Sequence, residues 1–188
     1  MILNLKSYAF TRPVIDRIGR FLYRNYTGSG THNTLWELTD VNGVAYNAIY
    51  TANNGGKVLW STYNYSGWSG HVGTDDTPAS VNDYICGNEL SNVTVVLSPT
   101  ITASTDASNP TVGVDDDGHG FFEFPITFSV YNTSGADITI SEFTFDSEVY
   151  KTTTNTYIRF TMFRCTFDPV TIPDSMSETF NIVVKVTL

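Results

Sequence analysis

The stretch "GFFEFPITFSVYNTSGADITISEFTFDSEVY", residues 120–150, contains two long runs of strand-forming residues separated by a turn. Phe, Ile, Val, Thr and Tyr are frequent in both runs, and such aromatic and β-branched residues favour strands. The intervening "NTSGAD" (132–137) holds a glycine and short polar residues that suit a chain reversal. The pattern predicts two long neighbouring strands.

Segments with strand-forming residues, in which apolar and polar residues tend to alternate with a period of two, also lie before and after this stretch. "LWELTDVNGVAYNAIY" (35–50) predicts a hairpin around an Asn-Gly turn, and "TYIRFTMFRCTF" (156–167) and "SETFNIVVKVTL" (177–188) predict two further strands. Residues 66–84 show no sustained period and are predicted to form a long loop. We therefore predict an all-β fold, an antiparallel β-sandwich in which a jelly-roll or immunoglobulin-like topology is possible.

One amphipathic helix is predicted at the N-terminus, over "PVIDRIGRFLYRNY" (13–26). Pro13 suits a first helical position, and apolar residues recur at spacings of three and four on one face. Residues 1–10 suit a short strand or an arm that packs on something else. The predicted division is an N-terminal arm and helix over residues 1–30 and a β-sandwich domain over residues 31–188.

Charge is distributed unevenly along the chain. The net charge of −9 argues against nucleic acid as the main partner. The first 24 residues hold five of the ten cations against one carboxylate, which gives them +4 and leaves −13 on the remainder. This asymmetry indicates a docking arm, although the helix could instead pack on its own sandwich. The predicted interface residues are Arg12, Ile15, Arg17, Ile18, Arg20, Phe21, Leu22 and Arg24.

The two cysteines, Cys86 and Cys165, are too few to indicate a disulfide framework. Two buried thiols in a reducing compartment are the simpler interpretation, and a bond between them stays open. The sequence shows neither a secretory signal pattern nor an apolar run of membrane-spanning length. We expect synthesis in the cytosol, a soluble product and no membrane partner.

The most metal-like segment is "VDDDGHGFFEF" (114–124), in which Asp115, Asp117 and His119 alternate. Clustered carboxylates suit hard cations, but the calcium-loop template would require a carboxylate where Phe124 stands. A solvated hairpin tip is the simpler interpretation, and we predict no metal and no cofactor.

The sequence carries no recognised catalytic motif and predicts a protein that is not an enzyme. Two carboxylates such as Glu142 and Asp146 could serve a glycoside hydrolase, but Glu142 is expected near a strand edge. A Cys–His nucleophile stays open, because such partners meet only in space.

Four aromatic residues within nine positions could contact a glycan or another partner. Core packing and a subunit interface are the preferred interpretation, and stacking on sugar rings is the alternative. The four residues are Trp60, Tyr63, Tyr65 and Trp68.

Several segments resemble, in the same order, those of small virion structural proteins of tailed bacteriophages and prophage-like elements. "RPVIDRIGRFLY" is similar to the family's apolar and basic opening, and "VGTDDTPASVNDYICGNEL" to a "GTGTTPPTPADYALENPI" loop. "VYNTSGADITISEFTFDSEVY" resembles "NTSGSAITISEIGLY". The C-terminal region resembles an arginine-containing strand, a "PVTVPAG" turn and a final strand. "GTDD", Phe143 and a "PDSM" that lacks the family's glycine depart from the pattern.

The resemblance implies a non-enzymatic virion structural protein that assembles in multiple copies in the neck or tail, as a connector, collar or tail-associated subunit. Its implied partners are copies of itself and portal, tail or capsid subunits, and its implied location is the virion. The alternatives are a capsid decoration protein and a receptor- or glycan-binding tip. We interpret the loop over residues 73–90 as a connector from one sheet to the other, rather than as a ligand or metal site.

Overall fold

The computed structural model describes residues 1–13, 30–51, 68–97, 111–151 and 156–187. Ten β-strands are the named elements of this described part, and Arg12 and Pro13 have helical conformation. All pairings between the strands are antiparallel, which confirms the predicted all-β architecture. The strands are β1 (Leu5–Phe10), β2 (Gly30–Thr39), β3 (Ala45–Thr51), β4 (Trp68–Gly73), β5 (Val93–Leu97), β6 (Thr111–Val114), β7 (Gly120–Asn132), β8 (Ile138–Lys151), β9 (Thr156–Ile172) and β10 (Ser177–Thr187).

The first sheet has the strand order β1-β9-β8-β4. At its centre lies the long hairpin of β8 and β9. β8 is the second strand predicted within residues 120–150, and β9 is the arginine-containing strand that follows it. β4 pairs with β8 from Trp68 opposite Ser147 to Gly73 opposite Glu142. This placement makes β8 an internal strand with neighbours on both sides.

The strand β4 lies in residues 66–84, so the prediction of a loop is wrong for Trp68–Gly73. Two glycines lower the strand propensity of this segment, and pairing with β8 overrides it. A Cβ added to Gly70 would lie 2.7 Å from Val95 Cγ1 of β5. Glycine therefore permits a close approach between strands of different sheets.

The second sheet has the order β10-β7-β5, and β6 pairs with the first part of β7. β7 and β10 pair without interruption, from Tyr131 opposite Ser177 to Phe121 opposite Thr187. The C-terminal strand is therefore tied into the sheet over its whole length, as its apolar alternation indicates.

β2 and β3 form a separate two-stranded hairpin, which confirms the hairpin prediction for residues 35–50. Asp40 closes its turn by accepting hydrogen bonds at Oδ1 from the backbone N–H groups of Asn42 and Val44, both at 2.9 Å. Gly43 has a φ of 78°, a left-handed conformation that glycine adopts without steric cost.

The buried side chains of both sheets form one hydrophobic cluster. Ile126, Phe128 and Val130 alternate along β7 and are fully buried. The Phe128 ring stacks on Phe143 of β8 with 3.9 Å between centroids. Since burying one such side chain contributes about 1.5–3 kcal/mol, the shared cluster stabilises the contact between the sheets. One face of each sheet is thereby assigned to the core.

The first ten residues contact both sheets. The Leu3 N–H donates to Asn181 O of β10 at 3.1 Å, and the Leu3 side chain is buried. β1 then pairs with β9. Of the two alternatives for residues 1–10, the structure has the strand.

Of the predicted N-terminal helix, only Pro13 lies in the described part, where it has helical conformation, and no helix is among the named elements. The domain boundary at residue 30 stays a prediction.

Candidate functional site

Residues 74–92, here called the connector, join β4 of the first sheet to β5 of the second. This confirms the prediction that the stretch crosses between sheets. The connector lies on the face of the first sheet opposite the shared core, where it contacts Glu142 of β8 and Thr161 and Arg164 of β9.

Arg164 of β9 is the central contact of the connector, and its side chain is 3% exposed. Nη1 donates to Thr77 O at 3.1 Å and to Asp83 Oδ2 at 3.0 Å. Nη2 donates to Asp75 Oδ2 at 3.1 Å. One guanidinium group thus fixes three points of the connector.

Glu142 of β8 occupies the remaining side of the guanidinium group. Its Oε1 accepts from Arg164 Nε at 2.6 Å and from the Gly87 N–H at 2.9 Å. Burial raises the pKa of Glu142, and the hydrogen bonds from Arg164 and Gly87 oppose this rise. The expectation that Glu142 lies near a strand edge is wrong, because β8 is internal and the residue is fully buried.

Hydrogen bonds to β1 and β9 hold the middle of the connector. The Ala79 N–H donates to Ser7 Oγ at 2.8 Å, and Thr161 Oγ1 donates to Tyr84 O at 2.7 Å. These contacts extend the attachment across the outer face of the sheet, so the connector has the hydrogen bonds of a packed segment.

Short side chains fold the connector locally. Asp75 Oδ1 accepts from the Thr77 N–H at 3.0 Å, a bond that lowers the pKa of Asp75 against the opposing effect of burial. The Ser80 N–H donates to Asp83 Oδ2 at 2.7 Å. Asp75 and Asp83 therefore bind both the connector's own backbone and Arg164.

His71 of β4 links the end of the connector to β8. Its Nδ1 lies 2.6 Å from Glu89 Oε1, and its Nε2 lies 3.0 Å from Asp146 Oδ2. Asp146 raises the pKa of His71 to about 9, while burial opposes the rise and Glu89 adds to it. The imidazole is therefore charged at neutral pH and neutralises two carboxylates.

Both cysteines are buried and free, so the interpretation of two buried thiols is confirmed. Burial raises the pKa of Cys86 and of Cys165, and the Glu142 carboxylate adds to the rise in each case. Because the thiolate is the nucleophile, these environments disfavour a reactive cysteine.

Asp115 and Asp117 lie in the turn between β6 and β7, where Asp115 Oδ1 accepts from the backbone N–H groups of Asp117 and His119 at 3.2 and 2.8 Å. This arrangement is the hairpin tip of the simpler interpretation. Among the described residues, no group of three or more His, Cys, Asp or Glu side chains is placed to hold a metal ion.

Most of the predicted interface residues lie outside the described residues, namely Ile15, Arg17, Ile18, Arg20, Phe21, Leu22 and Arg24. Arg12 is described, and its N–H donates to Val81 O of the connector at 3.0 Å. Of the aromatic group, Trp60, Tyr63 and Tyr65 lie outside the described residues, and Trp68 begins β4.

Sequence reasoning did not identify the pairing of Arg164 with Glu142. Both residues sit in runs of strand-forming residues, "TMFRCTF" and "TISEFTF", where a charge on an internal strand requires a partner. The available signal was one cation and one carboxylate in two strands predicted to be near each other.

Comparisons with protein-family models, curated proteins and solved structures found no match to this chain. No helix in the described ranges has the length and apolar character needed to span a membrane.

The site is chemically suited to holding the connector. All three nitrogens of the Arg164 guanidinium group donate within the protein, and both Arg164 and Glu142 are closed to solvent. These groups hold the connector on the outer face of the sheet.

Proposed function

We propose that the protein is a non-enzymatic structural protein of a bacteriophage virion, assembling in multiple copies in the neck or tail region. The observation that carries this proposal is the internal use of Arg164 and Glu142 to anchor the connector. A cluster of cations and carboxylates that is closed to solvent supports a rigid building block more than a site of turnover.

The segments that resemble the virion family contact one another in pairs. The loop motif is held by Arg164 of the arginine-containing strand. The "NTSGAD" turn and the "PVTIPDS" turn also interlock, since the Gly135 N–H donates to Asp174 Oδ1 and the Asp174 N–H donates to Asp137 Oδ1, both at 3.0 Å. Motifs that are separated in sequence but joined in space support a shared fold as the basis of the resemblance.

We infer further that the two sheets form a β-sandwich. Stacking of Phe128 on Phe143 across the sheets supports this architecture. A sandwich whose connector is anchored on its outer face offers other subunits a surface of fixed shape, as repeated symmetric contacts require.

The test is quantitative mass spectrometry of the particles produced by the genome that carries the gene. We expect the protein at several copies per particle, at a fixed ratio to the portal protein, and we expect incomplete particles when the gene is deleted. Absence from the particles would contradict the proposal. Incorporation at a ratio that follows the major capsid protein would instead favour the decoration role.

A further inference from the structure

Four buried side-chain oxygens near the connector have no hydrogen-bonding partner within the protein: Ser69 Oγ, Glu142 Oε2, Thr144 Oγ1 and Asp146 Oδ1. They occupy three alternate positions of the pairing between β4 and β8. Ser69 lies opposite Asp146, Thr144 lies opposite His71, and Glu142 lies opposite Gly73. The four oxygens therefore belong to one continuous patch on the outer face of the sheet, here called the polar patch.

The polar patch is closed to solvent. Glu142 and Thr144 are 0% exposed and Asp146 is 3% exposed. His71 Nε2 lies 3.0 Å from Asp146 Oδ2, which leaves Asp146 Oδ1 without a partner. The large majority of buried polar groups in native proteins have partners, so we expect a species that bridges these oxygens.

The chemistry of the polar patch identifies that species. Two of its atoms are hydroxyl oxygens, which can donate and accept, and two are carboxylate oxygens, which accept. An anion would require donors, and the two carboxylate oxygens cannot donate, whereas water can accept from a hydroxyl and donate to a carboxylate. The two carboxylates already face cations, Glu142 at Arg164 and Asp146 at His71, so no further cation is required.

We propose that the polar patch binds ordered water molecules that bridge β4 and β8 beneath the connector. Gly73 lets the connector pack closely on Glu142, because a Cβ at that position would lie 2.2 Å from Gly87 O and 2.7 Å from Glu142 Oε2. The Cys86 thiol, which neighbours both Glu142 and Thr144, is only a weak donor and does not replace water. The bound water completes the polar contacts of the outer face where Arg164 makes no hydrogen bond.

A pair of isosteric variants tests the proposal. If Thr144 Oγ1 holds water, Thr144→Val should lower the melting temperature, because the water loses a partner and the carboxylates lose a bridge. If the hydroxyl is unpartnered, the same change should leave the melting temperature unchanged or raise it, which would overturn the proposal. Thr139→Val, at an exposed position of the same strand, is the control and should have little effect.

Crystallography of the unaltered protein provides a test that does not depend on a folded variant. Water peaks within hydrogen-bonding distance of at least two of the four oxygens are the expected result. A dry space, direct bonds among the four side chains, or a metal ion at the polar patch would each overturn the proposal.

Discussion

Arg164 Nε and Glu142 Oε1 lie 2.6 Å apart on adjacent internal strands, and the two side chains are 3% and 0% exposed. Removing two charges from water is costly, and their attraction offsets that cost only when further hydrogen bonds satisfy them. Asp75, Asp83 and Gly87 of the connector supply those bonds. The fold of the connector and the stability of this buried pair therefore depend on each other.

Replacing Arg164 with Met should destabilise the protein by about 3–5 kcal/mol, because Glu142 would be left buried and uncompensated. Urea unfolding followed by intrinsic fluorescence measures the change. The control is Lys6→Met, which removes the exposed Lys6–Asp168 pair at 3.2 Å and should cost about 0–1 kcal/mol.

The double variant Arg164→Met, Glu142→Leu separates charge burial from packing. It should be more stable than Arg164→Met alone, because the uncompensated carboxylate is gone. Additive losses in the double variant, or a cost for Arg164→Met no larger than that of the Lys6 control, would show that the pair does not anchor the connector.

Stability should fall at alkaline pH through His71. Its pKa in the folded protein, about 9, lies above the ordinary value of 6.5. The stabilisation is therefore complete below about pH 6.5 and is lost as the pH rises through about 9. In His71→Gln, the free energy of unfolding should lose this dependence between about pH 6 and 10.

His119→Gln is the matched control for His71, because His119 lies on an exposed turn with 60% of its side chain accessible. This variant should follow the wild-type pH profile. An unchanged profile in His71→Gln would contradict the assigned role of the His71 contacts with Asp146 and Glu89.

Ser175→Gly should stabilise the protein by about 0.5–1 kcal/mol, as measured by urea unfolding, because relief of a left-handed side chain outweighs the added freedom of the unfolded chain. Ser175 has a φ of 59°, which lies in the left-handed region that glycine adopts without steric cost. Gly135→Ser is the reciprocal variant in the interlocking turn. Gly135 has a φ of 84°, and a Cβ at this position would meet open space. We therefore expect the free energy of unfolding to fall by about 1 kcal/mol from backbone strain alone. If Ser175→Gly and Gly135→Ser changed the free energy of unfolding in the same direction and by the same amount, the explanation by backbone strain would be refuted.

Asp115→Ala should destabilise the β6–β7 turn by about 0.5–1.5 kcal/mol, since two backbone N–H groups lose their acceptor. Asp117→Ala should change stability by less than about 0.5 kcal/mol.

Removal of metal ions should not affect stability, so the melting temperature should be the same in thermal unfolding with and without a chelator. A fall in melting temperature with chelator would indicate a bound cation that stabilises the native state.

The sheets could be predicted in large part from the sequence. The alternation in residues 120–150 specifies β7 and β8, and the Asn-Gly turn specifies the β2–β3 hairpin, because both signals are local. β4 could not be predicted, since its glycines serve contacts with β5 and the connector that exist only after folding.

From the sequence, the candidate site could be predicted only as a segment that connects the two sheets. Turn-forming residues indicate that residues 73–90 reverse and cross, but they do not identify what the segment packs on. Arg164 lies more than seventy residues from the connector in sequence, and its three connector contacts depend on the order of strands in the first sheet. Long-range polar contacts of this kind follow from topology and not from local pattern.

The central claim, assembly as a repeated structural subunit, is tested most directly by a cryo-EM reconstruction of the particles produced by the genome that carries the gene. We predict symmetry-related copies of the two-sheet body at the neck or tail, each with the connector against the outer face of the β1-β9-β8-β4 sheet. Particles in which other proteins account for all the density, with this chain found only outside them, would contradict the account.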